Sequence, residues 1–506
     1  MILMKKTLTN KLDRRKFLGE ASCAGLGYLT FMNTLLNLRA INASAISNSS
    51  VADDFNDYKA IVCILLAGGN DSFNMLMPYD TNGYNEYVAA RSGLFIDPNA
   101  PAGLAIDKAP QYDDDNNLEV GTGLNLGHLN GYSQGSKQWA VHPVMDRVKG
   151  LFQNGRLAFL SNVGTLTNHI TKAQYDLKQG LPLGLYSHSD QIQQWQTGIP
   201  HERGAKGWAG KLADMIGDCN ANQNISMNVS LSGSNIFQTG NTTIEYAIDP
   251  YHGAVGIDGY NPDPMYLVEV ARKEALDSLM GSHYEDIFKK TYMDVVRDAK
   301  DGFLEFDAAL QNSIVFQPNE FPDTNIGMSM EMIARTIDVR NTLGFNRQVF
   351  FITAGGWDHH DEVMNNQHGM LKMVSDALGS FQDAMGPSRV NMEDNVFTML
   401  ISEFGRTLNS NGNGSDHAWG GNTMVMGGPN LMNGGQIYGD YPSLAANSPQ
   451  EVGLGRFIPT LSTDEYFAEV AKWFGVPNSE LTTLFPNLGN FYDPFSTSPP
   501  IGFLNL

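Results

Sequence analysis

Tyr58-Lys59-Ala60-Ile61-Val62-Cys63-Ile64-Leu65-Leu66-Ala67-Gly68-Gly69-Asn70-Asp71 decides the architecture of this 506-residue chain. From Ala60 to Ala67 the apolar residues follow one another without polar alternation, then stop at two glycines. Such a run is a strand covered on both faces, as in a parallel sheet. Asn70 and Asp71 fall just past its end, where open α/β sheets bind their ligands.

Similar stretches lie downstream. Arg156-Leu157-Ala158-Phe159-Leu160, Gln348-Val349-Phe350-Phe351-Ile352-Thr353, Asn395-Val396-Phe397-Thr398-Met399-Leu400-Ile401 and Thr423-Met424-Val425-Met426 read as further strands. Helical patterns occupy residues 144–152, 369–385 and 463–474. The second of these places Leu371, Val374, Ala377, Leu378 and Phe381 on one face. Strands alternating with helices predict an α/β fold with a doubly wound, mostly parallel sheet. Two insertions interrupt it. Residues 80–135 are rich in Asn, Asp, Gly and Tyr; Asp113-Asp114-Asp115 lacks the EF-hand spacing and reads as a solvated loop. Residues 265–345 carry helical patterns at 266–280 and 284–299 and predict a helical cap or side layer. The length fits one large domain with insertions, or two domains.

Asp13-Arg14-Arg15-Lys16-Phe17-Leu18, a modestly apolar stretch and Ala43-Ser44-Ala45 form a twin-arginine export signal over residues 1–45. Glu20 makes Cys23 a poor lipoprotein cysteine. The expected location is periplasmic or secreted. Removing the signal's seven Lys/Arg and two Asp/Glu leaves 26 basic against 52 acidic side chains, a formal charge of −26. That surface repels nucleic acid and anionic lipid. No stretch after the signal is long and apolar enough to span a membrane. Cys63 reads as a small buried core residue.

The polar residues of interest follow strands. Asp71 follows the first, Asp358 and His360 follow Gln348–Thr353 within Gly356-Trp357-Asp358-His359-His360, and Glu403 and Arg406 follow Asn395–Ile401. Asp416 and His417 precede the last, in a glycine-rich loop. Asp358 and His360 share one side of an extended turn, with His359 pointing away. Adjacent Asp416 and His417 can serve two ions about 4 Å apart. Carboxylates and imidazoles converging from separate loops are what a divalent-metal hydrolase requires. Ser187, in Ser187-His188-Ser189-Asp190 at a helix start, is the candidate nucleophile and Ser189 the alternative. Arg406 is placed either to clamp an anionic substrate through its planar fork or to pair with Glu403 or a neighbour.

The twin-arginine leader, Gly68-Gly69-Asn70-Asp71, Val141-His142-Pro143, Ser187-His188, Gly356-Trp357-Asp358 with His360, Ser402-Glu403-Phe404-Gly405-Arg406 and Asp416-His417 together resemble the exported bacterial family catalogued as domain of unknown function 1501. That family is similar to the alkaline phosphatase and sulfatase superfamily. The resemblance implies a two-metal site at the strand ends. Asp71, Asp416 and His417 would ligate one ion, Asp358 and His360 the other, and Ser187 would take the nucleophile's place. The implied cofactor is a divalent metal, zinc first, with calcium or magnesium as alternatives. No His follows His417, and no Cys/Ser-x-Pro-x-Arg sulfatase signature is present. Two readings stand. One is an exported metal-dependent hydrolase of phosphate or sulfate esters, acting on a small anionic ester or an anionic glycan. The other is a non-catalytic envelope or assembly protein on the same fold, with an envelope protein as partner.

Overall fold

A computed structural model describes residues 57–95, 103–108 and 136–506 apart from 205 and 258, with residue 55 and short pieces between 111 and 133. The expected export signal, Cys23 and Asp113-Asp114-Asp115 lie outside the described residues, as does the side chain of His128. Ten strands form the main sheet: β1 (Lys59–Ala67), β2 (Leu157–Gly164), β3 (Asn228–Ser230), β4 (Tyr246–Asp249), β5 (Gly253–Ala254), β6 (Arg347–Gly355), β7 (Val396–Ile401), β8 (Gly421–Met426), β9 (Ile437–Tyr438) and β10 (Leu461–Ser462). Their order is β5-β4-β3-β6-β1-β7-β8-β2-β9, with β10 also pairing β2. β1 runs parallel to both β6 and β7. β8 is antiparallel to β7 and β2, and β5 is antiparallel to β4. The remaining pairs are parallel. The result is an α/β fold with a mixed, mostly parallel sheet.

β1 is central, and Ala60 to Leu66 are buried on both faces, as the unbroken apolar run requires. Each large aliphatic side chain removed from water there contributes about 1.5–3 kcal/mol. Cys63 is buried and unpaired. α1 (Ser72–Met75) and α2 (Thr81–Ala90) follow β1, α3 (Asp146–Gln153) precedes β2, and α4 (His188–Thr197) and α5 (Trp208–Ile216) precede β3. α6 (Leu267–Gly281), α7 (Ile287–Leu310) and α8 (Asn325–Asp338) fill the predicted helical insertion. α8 packs on β6 and on α9 (Val363–Met385), so the end of that stretch is part of the main body. α10 (Thr463–Phe474) starts on the Ser462/Glu465 capping box and packs on β1 and β10. Residues Asp57–Leu506 form one compact unit. No helix among the described residues is long and apolar enough to cross a membrane.

Register decides where the site falls. Ala67 pairs Gly355 across β1 and β6, and Leu65 pairs Ile401 across β1 and β7. Three parallel strands therefore end level, and the segments after Ala67, Gly355 and Ile401 leave by one edge of the sheet. β8 runs the other way, so Asp416 and His417, which precede it, enter at that same edge. Its antiparallel direction is one of the exceptions that a mostly parallel sheet admits, and the sequence does not mark which strand is reversed. An apolar run reports burial and not direction.

Candidate metal centre

Gly68 sets the closest approach at this edge. It adopts φ +128°, and a Cβ there would lie 2.3 Å from the backbone nitrogen of Asp358 and 2.6 Å from the carbonyl carbon of Trp357. Only glycine combines that torsion with that contact. The close crossing brings the turn after β6 over the end of β1. His359 is buried while Asp358 and His360 are exposed, which is the alternation expected of the turn.

Asp358 is the hub. Its Oδ1 lies 3.0 Å from Arg406 Nη1, 3.1 Å from His360 Nε2 and 3.2 Å from His417 Nε2. Its Oδ2 lies 3.4 Å from His188 Nε2. His360 Nε2 and His417 Nε2 are 3.0 Å apart. His188, Asp358 and His417 offer ligand atoms all within 4.8 Å of one another.

The far nitrogen of each ring has its own acceptor. His188 Nδ1 is 2.8 Å from Glu403 Oε1, His360 Nδ1 is 3.1 Å from Asp416 Oδ1, and His417 Nδ1 is 2.8 Å from the Tyr186 carbonyl. A carbonyl can only accept, so His417 Nδ1 donates and its Nε2 carries the lone pair whenever the ring is neutral. Tyr186 presents that carbonyl from φ +73°, a strained conformation for a bulky residue. Burial pulls the His417 pKa down, with the Tyr186 bond opposing. The bond to Glu403 raises that of His188 against the effect of burial. For Asp358, burial pushes the carboxyl up, but the bond and charge of Arg406, with the His417 bond and the nearby His360, together hold it below the usual range. Burial likewise acts upward on Asp416 and is outweighed by bonds from Asn411 and His360.

Glu403 is fully buried. Its Oε1 accepts from the Gly68 amide at 2.7 Å as well as from His188. Its Oε2 has no hydrogen-bond partner among the described residues. The sequence names Glu403 among the polar residues that follow strands but gives it no role at the site, and His188 enters only beside Ser187. The usable signal was Ser187-His188 at a helix start: Ser187 is the N-cap of α4, so the next residue opens the first turn.

The other expected residues fall as follows. Asp358, His360, Asp416 and His417 are brought together. Asp71 is not: its carboxylate is held by Arg91, at 2.5 Å and 3.3 Å, and both side chains are fully buried. Both oxygens are thus committed to a guanidinium. Arg91→Gln is expected to cost about 3–5 kcal/mol in chemical denaturation, because it strands a buried charge. Arg91→Met with Asp71→Asn should recover much of that loss. Arg406 is fully buried rather than open to a substrate. It bonds Asp358, the Gly68 carbonyl and Ser415, which corrects the substrate-clamp reading to an ion pair that positions Asp358. Ser187 Oγ is 3.2 Å from Ser189 Oγ and also bonds Asp190.

Fold and site together define an α/β protein with an imidazole and carboxylate centre at its strand ends. The model of a family described as "Protein of unknown function (DUF1501)" matches residues 316–461. That span contains Asp358, His360, Glu403, Arg406, Asp416 and His417 and excludes Asp71 and His188. No curated protein matches this chain. Among solved structures, "Crystal structure of Ps i-CgsB in complex with k-i-k-neocarrahexaose" is 12% identical, covering 87% of this chain and 78% of that one at TM-score 0.30. "Crystal structure of Ps i-CgsB" is 13% identical, covering 69% and 72% at TM-score 0.28. Neither likeness defines the fold or the chemistry of this chain.

Proposed function

We propose that this chain is an exported, metal-dependent hydrolase of phosphate or sulfate esters, built on a doubly wound sheet of the phosphatase and sulfatase kind. One observation carries the reading. Three imidazoles have their Nδ1 atoms tied to acceptors and their Nε2 atoms gathered on one carboxylate. Neutral rings so arranged aim lone pairs at a negative charge, a conflict that a bound metal ion resolves for all three at once and that protonation resolves ring by ring. A carboxylate or carbonyl behind each ring is the usual support of a metal-bound histidine.

The donors fit zinc. Ligands 2.0–2.1 Å from a tetrahedral ion stand about 3.3 Å from one another. The triangle of Asp358 Oδ1, His360 Nε2 and His417 Nε2 has sides of 3.0–3.2 Å. Calcium and magnesium favour oxygen donors, and a centre this rich in imidazole does not suit them. His188, Asp358, His360 and His417 are the ligands in this reading, with Asp416 orienting His360. Asp71 stays with Arg91. A divalent ion at this place supplies Lewis-acid stabilisation of a phosphoryl or sulfuryl oxygen and an activated nucleophile. Arg406 and Glu403 fix Asp358 and His188, and Ser187 is the protein's candidate nucleophile.

Metal analysis of the folded protein, with aryl phosphate and aryl sulfate turnover measured before and after chelation, tests the proposal. Bound zinc and chelator-sensitive turnover are expected. Absence of both defeats it, and metal without turnover leaves the envelope or assembly reading. Asp416→Ala should weaken metal binding about 10–100-fold, the range for a support behind a ligand. Ser187→Ala should leave metal in place and abolish turnover; if Ser189 is the nucleophile, Ser189→Ala does so instead. Export should fail when Arg14→Lys and Arg15→Lys are combined, and N-terminal sequencing of exported protein should begin near Ile46.

A further inference from the structure

Away from the centre, the α6–α7 hairpin concentrates exposed apolar surface. Nine of the nineteen exposed large apolar side chains among the described residues fall between positions 265 and 295. Single apolar residues are ordinary on a surface, but a cluster of this size marks a contact. On α7, Phe288 is 83% exposed, Tyr292 67% and Val295 58%. With exposed Ala299 they stand at i, i+4, i+7 and i+11 on one stripe. That is the spacing by which a helix meets another helix. On α6, exposed Val268, Ala271, Ala275 and Leu279 form a second stripe with small residues at its middle. The buried residues of α7 are Gly302, Phe306, Ala309 and Leu310, near its other end. The stripe continues at the same spacing onto these residues, so one face of α7 is buried at its C-terminal end and exposed over its first three turns.

We infer that this hairpin is where two copies of this chain pair, the α7 stripe of each packing on the hairpin of the other. The first argument is area. The three exposed aromatics Tyr266, Phe288 and Tyr292 offer roughly 330–550 Å² per copy at about 150–250 Å² for each whole side chain. Six further exposed apolar side chains beside them add to this, against about 800 Å² per partner in a standard interface. The second is charge. The whole chain has 33 basic against 54 acidic residues, and like-charged bodies repel. Residues 265–300 carry six basic and seven acidic side chains. Several are tied in Lys273–Asp277, Lys290–Asp294 and Arg297–Asp294 pairs. Two acidic molecules that meet through this near-neutral segment face less repulsion than the overall charge would impose. A helix that lies on an anionic bilayer carries an excess of Lys and Arg, which this hairpin lacks.

Sedimentation of the purified protein from about 1 to 100 µM tests the pairing by mass action. The wild type should sediment as a dimer. Phe288→Glu combined with Val295→Glu should raise the dimer Kd at least about 100-fold and leave a folded, cooperatively melting monomer, because both side chains face solvent in a single copy. Its melting temperature should fall only by what dimerisation adds at the concentration used. A wild type monomeric throughout this range overturns the inference, as does a folded double variant that stays dimeric. Wild type that is monomeric in solution but floats with phosphatidylcholine or phosphatidylglycerol vesicles overturns it in favour of a lipid surface. If the double variant does not fold, Tyr292→Cys should crosslink two copies on oxidation, and its failure to do so overturns the pairing.

Discussion

Asp358→Ala protein is expected to retain its fold, to carry no bound metal above background and to lose ester hydrolysis by roughly a thousandfold or more. Among the described residues, Asp358 is the one side chain within 3.4 Å of all three imidazoles and of Arg406. Its removal deletes a ligand and also leaves three rings and a guanidinium facing one another without a negative charge. The fold should survive at reduced stability: the Asp358 side chain is itself 45% exposed, while the buried Arg406 guanidinium loses its carboxylate and keeps its carbonyl acceptors at Gly68 and Ser415. Asp358→Asn keeps the shape and one acceptor but loses the charge, so its metal affinity should fall between the two. Elemental analysis, kcat/KM and a melting curve on the same samples separate loss of the centre from loss of the fold. Full metal occupancy in Asp358→Ala would remove the hub from the proposal.

Gly68→Ala should destabilise the folded protein by on the order of 4 kcal/mol, a cost confined to a few kinds of substitution. The added carbon would stand 2.3 Å from the Asp358 nitrogen. Backbone lies there rather than a side chain that could swing aside. The Gly68 amide also donates to Glu403, and its carbonyl accepts from Arg406, so any shift disturbs both supports of the centre. Gly412 is the control. It has nearly the same torsion, φ +125°, with nothing within 4 Å of an added Cβ. Gly412→Ala should lose only about 1 kcal/mol, the conformational part of the effect. Equal losses in urea denaturation would show that the crossing of β1 and β6 is looser than the structure has it.

The parts legible in the sequence are those where one physical cause dominates. β1, β6 and β7 read directly because burial on both faces demands an unbroken apolar run. β3, β4, β5, β9 and β10 have two to four residues each, too few for any period to show. Asp358, His360, Asp416 and His417 stood out because each follows or precedes such a run. His188 did not, because it opens a helix whose neighbourhood has no strand pattern. Asp71 was placed by the same rule as Asp358, but its charge is answered by Arg91, the C-cap of α2, in a stretch read as loop. The burial of Arg406 is likewise set by residues distant in the chain, and no local pattern records it.

The order of the sheet also governs when this protein can acquire its shape. Tyr58 and Gln348 bond to each other from 290 positions apart, and both parallel neighbours of β1 lie in the last third of the chain. At a synthesis rate of 5–20 residues per second, β1 waits about 15–60 s for its first partner. Throughout that interval its apolar run is without its strand partners on a nascent chain, the condition that draws holding chaperones and favours aggregation. Truncations that stop before β6 should therefore accumulate as insoluble or chaperone-bound material rather than as a smaller folded domain.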